Sequence, residues 1–429
     1  MLVHLFALLR LTRVRTTRQA IYTGLALGVA MYGPQLGFFW TIFGAGAVAL
    51  WLVLAFWIAL FVVTVRQCRI CFGDNASACL APVLWLGFDF FRGELYYLRF
   101  TWLNVGYAFS DAPLLLRIFG TYGLGFVLMA MAAVADRLLI ARAVTTLAAM
   151  TAALGLTVNV PLLHSTKPVT PPGSVVRVAG TQLEFPSEIE AISALEDLRR
   201  GSPETDLFVL SEYTFDGPVP ERVRAWCRRN KKFLVAGGKD ELPDGRFCNT
   251  AFVIDTNGDL IFEQVKAVPI QFFKDGLPAS SQALWHSPWG DLGICICYDL
   301  SYTRVTDVLV RAGAQALIVP TMDVQGWGEH QHRLHSRVAP TRAAEYGVPI
   351  FRVASSGISQ LVGGDALLRA SAPFAKENAE IKGLLPLASQ GRLPWDRWAA
   401  RGAVAITGVT VVCLALGALL RRRIARQRV

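Results

Sequence analysis

Three residues that could carry out nucleophilic chemistry each stand at the end of an apolar run typical of a β-strand. Glu212 closes "LFVLSE", Lys266 closes "LIFEQVK" and Cys297 closes "LGICIC". A thiolate is a nucleophile, a glutamate can accept the thiol proton, and a lysine can stabilise the oxyanion of a tetrahedral intermediate. Each residue also has an ordinary alternative, a solvated charge for the first two and a small core residue for the cysteine.

The segment around Cys297 contains a second cysteine, Cys295, two residues earlier in the same run. If the strand includes both, their side chains point to the same face. The following "YDLSYTRV" contains Asp299 and Ser301, either of which could cap a helix and create a strand–turn–helix arrangement. Cys295 lies deeper in the run, where a core thiol fits best, whereas Cys297, at the strand end, is either the candidate nucleophile or a second core residue.

The elements that must position these residues alternate between strand and helix patterns from about 170 to 398, which indicates a layered α/β domain. The predicted strands are "VVRVAGTQ", "LFVLSEY", "KFLVAGG", "NTAFVIDT", "LIFEQVK", "LGICICY", "ALIVPTM" and "IFRVAS". The predicted helices are 188–200, 218–230, 302–312 and 330–346.

The composition indicates a membrane protein with a globular part. Of its 429 residues, 53% are hydrophobic and only 17% are charged, and the mean hydropathy is +0.41. The net charge of +10 comes from short arginine clusters, without a basic face interleaved with aromatics, so we expect no nucleic-acid partner. Candidate membrane spans are 19–37, 40–65, 78–95, 118–135, 143–163 and 402–420.

The positions of the arginines predict the topology. Clusters precede the first span, follow the second, separate the fourth from the fifth, and follow the last as "RRRIARQR". The positive-inside rule then places both termini in the cytoplasm and the globular part outside. The predicted organisation is an N-terminal membrane domain of about five helices (1–165), a linker (166–174), a globular domain (175–399), a C-terminal span (400–422) and a basic tail (423–429).

Two short motifs invite a metal interpretation that the sequence does not favour. "CRIC" (Cys68 and Cys71) has no second cysteine pair, and "HQHRLH" has no attached carboxylate or cysteine cluster. We therefore expect no metal and no cofactor.

The motifs "LSEYTF", "EQVKAVP" and "ICYDLSYTRV" in this order resemble the Glu–Lys–Cys signature of the nitrilase, or carbon–nitrogen hydrolase, superfamily. Within it, the chain is similar to the apolipoprotein N-acyltransferase family. The segment 88–128 resembles that family's membrane signature. The end of the globular region also resembles it, at His335, Arg342, Glu345, Gly347, Pro349, Arg352 and "GIS" (357–359).

The resemblance implies a multi-pass α-helical membrane domain and an extramembrane nitrilase-like α-β-β-α sandwich. Cys297 would take a fatty acyl chain from a phospholipid and pass it to the N-terminal amine of a diacylglyceryl-cysteine lipoprotein. Glu212 would be the general base and Lys266 the oxyanion stabiliser. The supporting positions would be Asn249, Tyr298, Gln271, Arg342 and Glu345. A monomer in the bacterial cytoplasmic membrane is expected, with the catalytic domain facing the periplasm or the outside.

One departure from the family keeps two other functions open. The family carries a further glutamate in "VPFGE" after the lysine, whereas this chain reads "VPIQFFKDG", with Gln271 or Lys274 near that place. Gln can donate and accept hydrogen bonds but cannot be anionic. The alternatives are a membrane-anchored amidase or acyltransferase for a different amine or amide, and a catalytically inactive homologue. The aromatic residues on predicted loops, which form a lipid-facing rim or pack internally, are Phe215, Phe272, Phe273, Trp285, Trp289 and Trp327.

Overall fold

A computed structural model describes residues 1–141, 174–374 and 378–427. These residues form two compact units. The first contains the chain up to Ala108, residues 118–141, and the C-terminal segment from Trp395. The second contains Phe109–Arg117 and the described chain from 174 to Pro394. The predicted span 143–163 and residues 166–173 of the predicted linker lie outside the described residues.

The first unit is helical. Its helices are α1 (Leu2–Leu11), α2 (Thr17–Gln35), α3 (Phe38–Phe43), α4 (Gly46–Phe90), α5 (Pro113–Ile140) and α11 (Asp396–Gln427). The first residues of α5, up to Arg117, belong to the second unit. By length and composition, three helical stretches of the described chain could cross a membrane: Gly46–Leu95, Pro113–Ile140 and Asp396–Arg421. The predicted span 19–37 falls on α2, which is not one of the three.

The long helix α4 is a hairpin of two helices. Gly73, at φ 83°, interrupts the helical backbone. The ring centroids of Phe61 and Trp85 lie 5.2 Å apart, and those of Trp57 and Phe88 lie 6.4 Å apart. A straight helix would separate residues 24 positions apart by about 36 Å, so the two arms must run antiparallel and turn at Gly73. The predicted spans 40–65 and 78–95 fall on these two arms.

Helix α2 packs against the first arm of this hairpin through small residues. A Cβ at Gly24 would lie 2.6 Å from Cα of Ala59, and a Cβ at Gly28 would lie 2.5 Å from Cα of Ala55. The spacing of four residues places both glycines on one helix face, and the lack of side chains allows the backbones to approach closely. A capping box between Thr16 and Gln19 begins the helix.

The second unit contains two six-stranded sheets. Its strands are β1 (Val175–Thr181), β2 (Leu207–Val209), β3 (Phe233–Glu241), β4 (Phe247–Ile254), β5 (Leu260–Val265), β6 (Leu284–Ser287), β7 (Gly290–Ile294), β8 (Ala316–Thr321), β9 (Ile350–Ala354), β10 (Ser359–Val362), β11 (Leu368–Ala372) and β12 (Glu380–Pro386). The strand orders are β12-β1-β2-β3-β4-β5 and β11-β10-β9-β8-β7-β6. Its helices are α6 (Glu188–Gly201), α7 (Glu221–Asn230), α8 (Thr303–Ala312), α9 (Glu329–Ser336) and α10 (Val338–Tyr346).

The two sheets pack face to face, with helices on their outer sides. Contacts of β1 with β9 and of β3 with β8 join the sheets. On the outer side of the first sheet, Leu195 of α6 and Trp226 of α7 are buried in one apolar cluster with Phe208 and Leu234. Such an arrangement buries the apolar faces of both sheets and the apolar stripes of the helices. The predicted α-β-β-α sandwich beside a helical membrane domain is therefore confirmed.

The parallel strands explain where the candidate residues lie. Strands β1, β2 and β3 are parallel neighbours in one sheet, and β7, β8 and β9 are parallel neighbours in the other. Glu212 follows β2, Cys297 follows β7, and Lys266 comes directly after β5. The ends of strands in α/β sheets are the usual positions of functional side chains, because loops there are held by a rigid scaffold.

Candidate active site

The structure brings Glu212, Lys266 and Cys297 together in the interior of the second unit. The Nζ atom of Lys266 lies 2.7 Å from Oε1 of Glu212. The Cys297 thiol and the Glu212 carboxylate both contact the backbone of Met322. All three side chains are at most 3% exposed. Three polar groups buried close together form a site rather than three solvated charges.

Cys297 occupies a strained turn rather than a strand. Strand β7 ends at Ile294, and a 3₁₀ turn, Cys297–Ser301, begins at the cysteine with φ 52°. A positive φ is unfavourable for a residue with a Cβ and is found mostly where function or tight packing requires it. The prediction that Cys295 and Cys297 share a strand face is wrong, because the strand ends before both. Cys295 is fully buried, as expected of a core residue.

The expectation that Asp299 or Ser301 caps the next helix is also wrong. Helix α8 begins after Tyr302 and has no side-chain cap. The Asp299 carboxylate instead accepts hydrogen bonds from the backbone N–H groups of Ile296, Ala267 and Val268, at 3.1, 3.1 and 2.7 Å. It therefore joins the turn of the cysteine to the segment that follows the lysine. Burial raises the pKa of Asp299 to about 6.

The backbone of Met322 contacts both reacting groups. Its N–H donates to Oε2 of Glu212 at 2.7 Å, and its carbonyl accepts from the thiol of Cys297 at 3.5 Å. With Lys266 on Oε1, the carboxylate of Glu212 has a partner on each oxygen. Those contacts fix its orientation towards the thiol. No side-chain pattern in the sequence could have identified this contribution, because it comes from a main-chain group.

A third charged residue, Asp275, completes the site. Its Oδ2 accepts from Nζ of Lys266 and from the backbone N–H of Ile270, both at 2.7 Å. Its Oδ1 accepts from the Asn249 amide at 2.9 Å and from the Tyr213 hydroxyl at 2.8 Å. Asp275 is 4% exposed. The buried ammonium therefore bridges two carboxylates.

Asp275 corrects the interpretation of the "VPIQFFKDG" segment. The sequence suggested Gln271 or Lys274 as the counterpart of the family's additional glutamate, and hence an uncharged or cationic substitute. In the structure, Lys274 is exposed and Gln271 is half-buried, whereas Asp275 makes the contact with Lys266. Phe272, at φ 71°, and Gly276, at φ 79°, turn this short loop so that the later residue reaches the site. The segment thus does provide a carboxylate.

The electrostatic environment favours a neutral thiol beside a strong base. Burial raises the pKa of the Cys297 thiol well above its ordinary value, and the charge of Glu212 raises it further, against the opposing effect of Lys266. Burial also raises the pKa of Glu212, with Lys266 opposing and Asp275 reinforcing the effect. Burial acts against the charge on Lys266, but its two carboxylate neighbours raise the pKa of the ammonium well above its ordinary value.

Of the predicted supporting residues, one lies in the site and three lie in or against the turn that carries Cys297. Asn249 lies within the site and donates to Glu212 at 2.6 Å. Arg342 donates to the carbonyls of Leu300 and Ser301, at 3.1 and 2.6 Å, and also pairs with Glu345. This pair holds the turn that carries the cysteine. The buried ring of Tyr298 packs edge-on against Tyr302, with centroids 4.9 Å apart.

A second buried polar network follows Met322. Asp323 accepts from His335 Nδ1 at 2.7 Å, from Gln331 at 3.2 Å, and from the guanidinium of Arg352. Its backbone N–H donates to the Ser355 hydroxyl at 3.0 Å. Burial raises the pKa of Asp323, but the hydrogen bond from His335 and the charge of Arg352 outweigh it and hold that pKa well below its usual range. The network fixes the peptide that bridges Glu212 and Cys297.

The aromatic residues suggested as a lipid-facing rim divide into two sets. Phe215 and Trp285 are buried at 5% and 3% exposure, and Trp289 packs against Phe233 with centroids 5.1 Å apart. Those residues pack internally. Phe272 is 65% exposed and Phe273 is 38% exposed, on the loop that carries Asp275.

Comparisons with known proteins agree with this description. Residues 200–379 match the family model of carbon–nitrogen hydrolases, and residues 1–134 match that of the apolipoprotein N-acyltransferase N-terminal domain. A carbon–nitrogen hydrolase of Helicobacter pylori has a similar structure over 50% of this chain and 90% of its own, with a TM-score of 0.43 and 17% identity. The family model alone assigns residues 200–379 of the second unit to a carbon–nitrogen hydrolase domain.

Two curated proteins are similar in sequence. The apolipoprotein N-acyltransferase of Geobacter metallireducens is 25% identical over 352 residues, which cover 70% of this chain and 67% of that protein. The deaminated glutathione amidase of Dictyostelium discoideum is 29% identical over 131 residues, 26% of this chain and 44% of that one. With both domain models matched in order, the chain belongs to the apolipoprotein N-acyltransferase family of the nitrilase superfamily. It is a membrane enzyme of that class.

Proposed function

We propose that this protein transfers a fatty acyl chain from a phospholipid, through a thioester on Cys297, to the N-terminal amine of a diacylglyceryl-cysteine lipoprotein. The observation that carries the proposal is that buried Glu212 binds Lys266 at 2.7 Å and contacts the same Met322 peptide as the buried Cys297 thiol. This site belongs to a chain whose other unit contains apolar helices long enough to cross a membrane. Both proposed substrates are membrane-anchored lipids.

In the first half-reaction, Glu212 accepts the proton of the Cys297 thiol, and the sulfur attacks the ester carbonyl carbon of the phospholipid. The carbonyl oxygen becomes an oxyanion, which the Lys266 ammonium stabilises. When the intermediate collapses, the ester C–O bond breaks and the glycerol oxygen takes the proton back from Glu212. The products are a lysophospholipid and a thioester on Cys297.

In the second half-reaction, the uncharged α-amine of the acceptor attacks the thioester carbonyl carbon. Glu212 takes a proton from the attacking nitrogen, the C–S bond breaks, and the sulfur leaves and is reprotonated. The product is an amide, and the free thiol of Cys297 is restored. Lys266, which Glu212 and Asp275 hold in place, stabilises the oxyanion in both steps.

We propose that Asp275 and Asn249 keep the base and the ammonium in position. Burial raises the pKa of Glu212, and the charge of Asp275 raises it further against the opposing effect of Lys266, which makes Glu212 a stronger base. With Asp275 present, the absence of a glutamate at Gln271 or Lys274 no longer favours the amidase alternative. We further propose that the exposed ring of Phe272 contacts a lipid substrate.

The proposed location is the bacterial cytoplasmic membrane, with the catalytic unit facing the periplasm or the outside, both termini in the cytoplasm, and a monomeric enzyme. The arginine clusters beside the apolar segments support that orientation through the positive-inside rule. An outward-facing site has access to lipoproteins after their export.

The decisive experiment expresses the full chain in bacteria depleted of their own N-acyltransferase and examines the lipoproteins by mass spectrometry. We expect restored triacylation, lost with Cys297→Ala and kept with the matched control Cys295→Ala. If lipoproteins stay diacylated while the purified protein releases ammonia or a free acid from small amides, the chain is an amidase. If Cys297 neither reacts with thiol probes nor forms an acyl adduct, the chain is an inactive homologue.

A further inference from the structure

A cluster of charged residues joins three parts of the first unit. The arginine cluster consists of Arg10, Arg13, Arg69 and Arg137, which surround Asp74 and Asp136. Helix α1 and the residues after it provide two of the arginines, the turn of the α4 hairpin provides Arg69 and Asp74, and the end of α5 provides the others. None of these residues belongs to the unit that contains Cys297.

The ion pairs of the cluster leave an excess of positive charge. Asp136 binds Arg13 at 2.8 Å and Arg10 at 3.1 Å. Asp74 binds Arg69 at 2.9 Å and Arg137 at 3.2 Å. Four arginines thus share two carboxylates, which leaves two uncompensated positive charges. Because all four side chains are at least half-buried, water screens this excess less well than on an open surface.

A cavity of about 360 Å³ opens beside the cluster and is lined by Phe6, Arg10, Leu139 and Ile140. Its volume is within the range of ligand pockets, roughly 300–1,000 Å³. The side chain of Arg10 is 49% exposed, so its guanidinium can bind a further partner. The other lining residues are apolar. A ligand that fits this wall needs an anionic group next to an apolar chain.

We propose that this cavity binds an anionic phospholipid. The phosphate would bind Arg10, whose planar guanidinium can donate two parallel hydrogen bonds to phosphate oxygens. The upper part of an acyl chain would lie against Phe6, Leu139 and Ile140. The excess charge selects a lipid with a net negative charge over a zwitterionic one, as basic pockets between membrane helices do. The proposal is independent of the acyl-transfer reaction.

The test uses the full chain purified in dodecyl maltoside and measures its thermal unfolding with added lipid. A ligand that binds only the folded state raises Tm by an amount that grows with the ratio of its concentration to its Kd. We expect phosphatidylglycerol to raise Tm, and phosphatidylcholine at the same mole fraction, or inorganic phosphate, to have no such effect. Arg10→Gln should require at least about tenfold more phosphatidylglycerol for the same shift, the effect of losing a charge-assisted bond.

The matched control is Arg18→Gln, which removes one charge from α2, where Arg18 lies near Tyr22 and outside the cavity. It should respond to phosphatidylglycerol like the parent. Arg10→Gln should fold, because Asp136 keeps Arg13 at 2.8 Å. If Arg10→Gln does not fold, Ile140→Trp is the second variant. It narrows the apolar side of the cavity while every charge stays intact, and it should weaken the Tm response to phosphatidylglycerol as strongly.

Three results would overturn the proposal. The first is an equal shift by phosphatidylcholine and phosphatidylglycerol, which indicates general solvation by lipid. The second is a shift of the same size with inorganic phosphate, which indicates a site for a free anion. The third is a parent-like response of Arg10→Gln, or of Ile140→Trp where Arg10→Gln does not fold.

Discussion

Replacing Asp275 by Asn tests how the buried charges of the site work together. The carboxylate accepts four hydrogen bonds, two on each oxygen. An amide has one accepting oxygen and one donating nitrogen, so whichever way it turns, two of the four donors face an NH₂ group. If the amide nitrogen faces Lys266, the ammonium loses a charge-assisted bond of about 1.5–3 kcal/mol and shifts from its position.

Acylation should slow because the displaced Lys266 ammonium stabilises the oxyanion less well. An oxyanion donor is worth about 10²–10³ in rate, so we expect Asp275→Asn to slow acylation of Cys297 by a factor of that order. The variant also removes a negative charge that raises the pKa of Glu212. Since the base must be ionised to accept the thiol proton, a lower pKa moves the acidic limb of the rate profile to lower pH.

The assay measures single-turnover acylation of the purified full chain by a phospholipid with a labelled acyl chain, between about pH 5 and 9. The matched control is Lys274→Ala, the exposed neighbour of Asp275 in the same loop. It should acylate within about twofold of the parent, as expected for a surface substitution. A parent-like rate for Asp275→Asn, together with an unmoved acidic limb, would refute the role given to this carboxylate.

Three further predictions follow from the packing around the site. Phe272→Ala should lower kcat/KM for the phospholipid several-fold without changing Tm, because the ring is 65% exposed. Phe215→Ala should instead lower the free energy of unfolding by about 3–5 kcal/mol, because that ring is buried. Thermal unfolding and the kinetics with the phospholipid donor distinguish the two effects. Gly237→Ala should inactivate the enzyme, because its Cβ would lie 2.6 Å from Cα of Glu212, and loss of thioester formation in the folded variant checks it. Asp323→Asn should slow acylation about tenfold or more, because it loosens the Met322 peptide, while KM for the phospholipid stays unchanged. An unchanged kcat would contradict the role given to Asp323.

The sequence was sufficient for the scaffold of the site because its strands are strongly patterned. All eight strands predicted between 175 and 355 are present, although their ends shift by a few residues. Strands β6, β10, β11 and β12 were missed. They are short or have a mixed pattern, and β12 pairs with β1 across nearly the whole domain, from Val175 to Pro386. A register between segments so far apart leaves no local signal.

The residues that complete the site show what sequence patterns leave out. Cys297 was identifiable from the end of its apolar run, but the turn with φ 52° was not. Asp275 was missed because the resemblance to "VPFGE" drew attention to Gln271 or Lys274, whereas the path of the loop decides which side chain enters the site. Met322 acts through its backbone, so its residue type carries no signal at all.

The helices contain a signal that the prediction overlooked. The predicted helix 330–346 is two helices, Glu329–Ser336 and Val338–Tyr346, separated at Arg337. Pro340 is the third residue of the second helix, where it has no N–H to donate to the carbonyl of Ser336 and its ring disfavours one continuous helix. Gly73 likewise marks the turn of the α4 hairpin, because its φ of 83° suits glycine.

Mass spectrometry of the intact protein, after incubation with a phospholipid of known acyl composition and no acceptor, tests the proposed thioester directly. We expect a mass increase of one acyl chain, mapped to Cys297, removed by hydroxylamine and absent from Cys297→Ala. Addition of a diacylated lipopeptide should then discharge the adduct and triacylate the peptide. An adduct on another residue, or triacylation that proceeds equally well with Cys297→Ala, would contradict it.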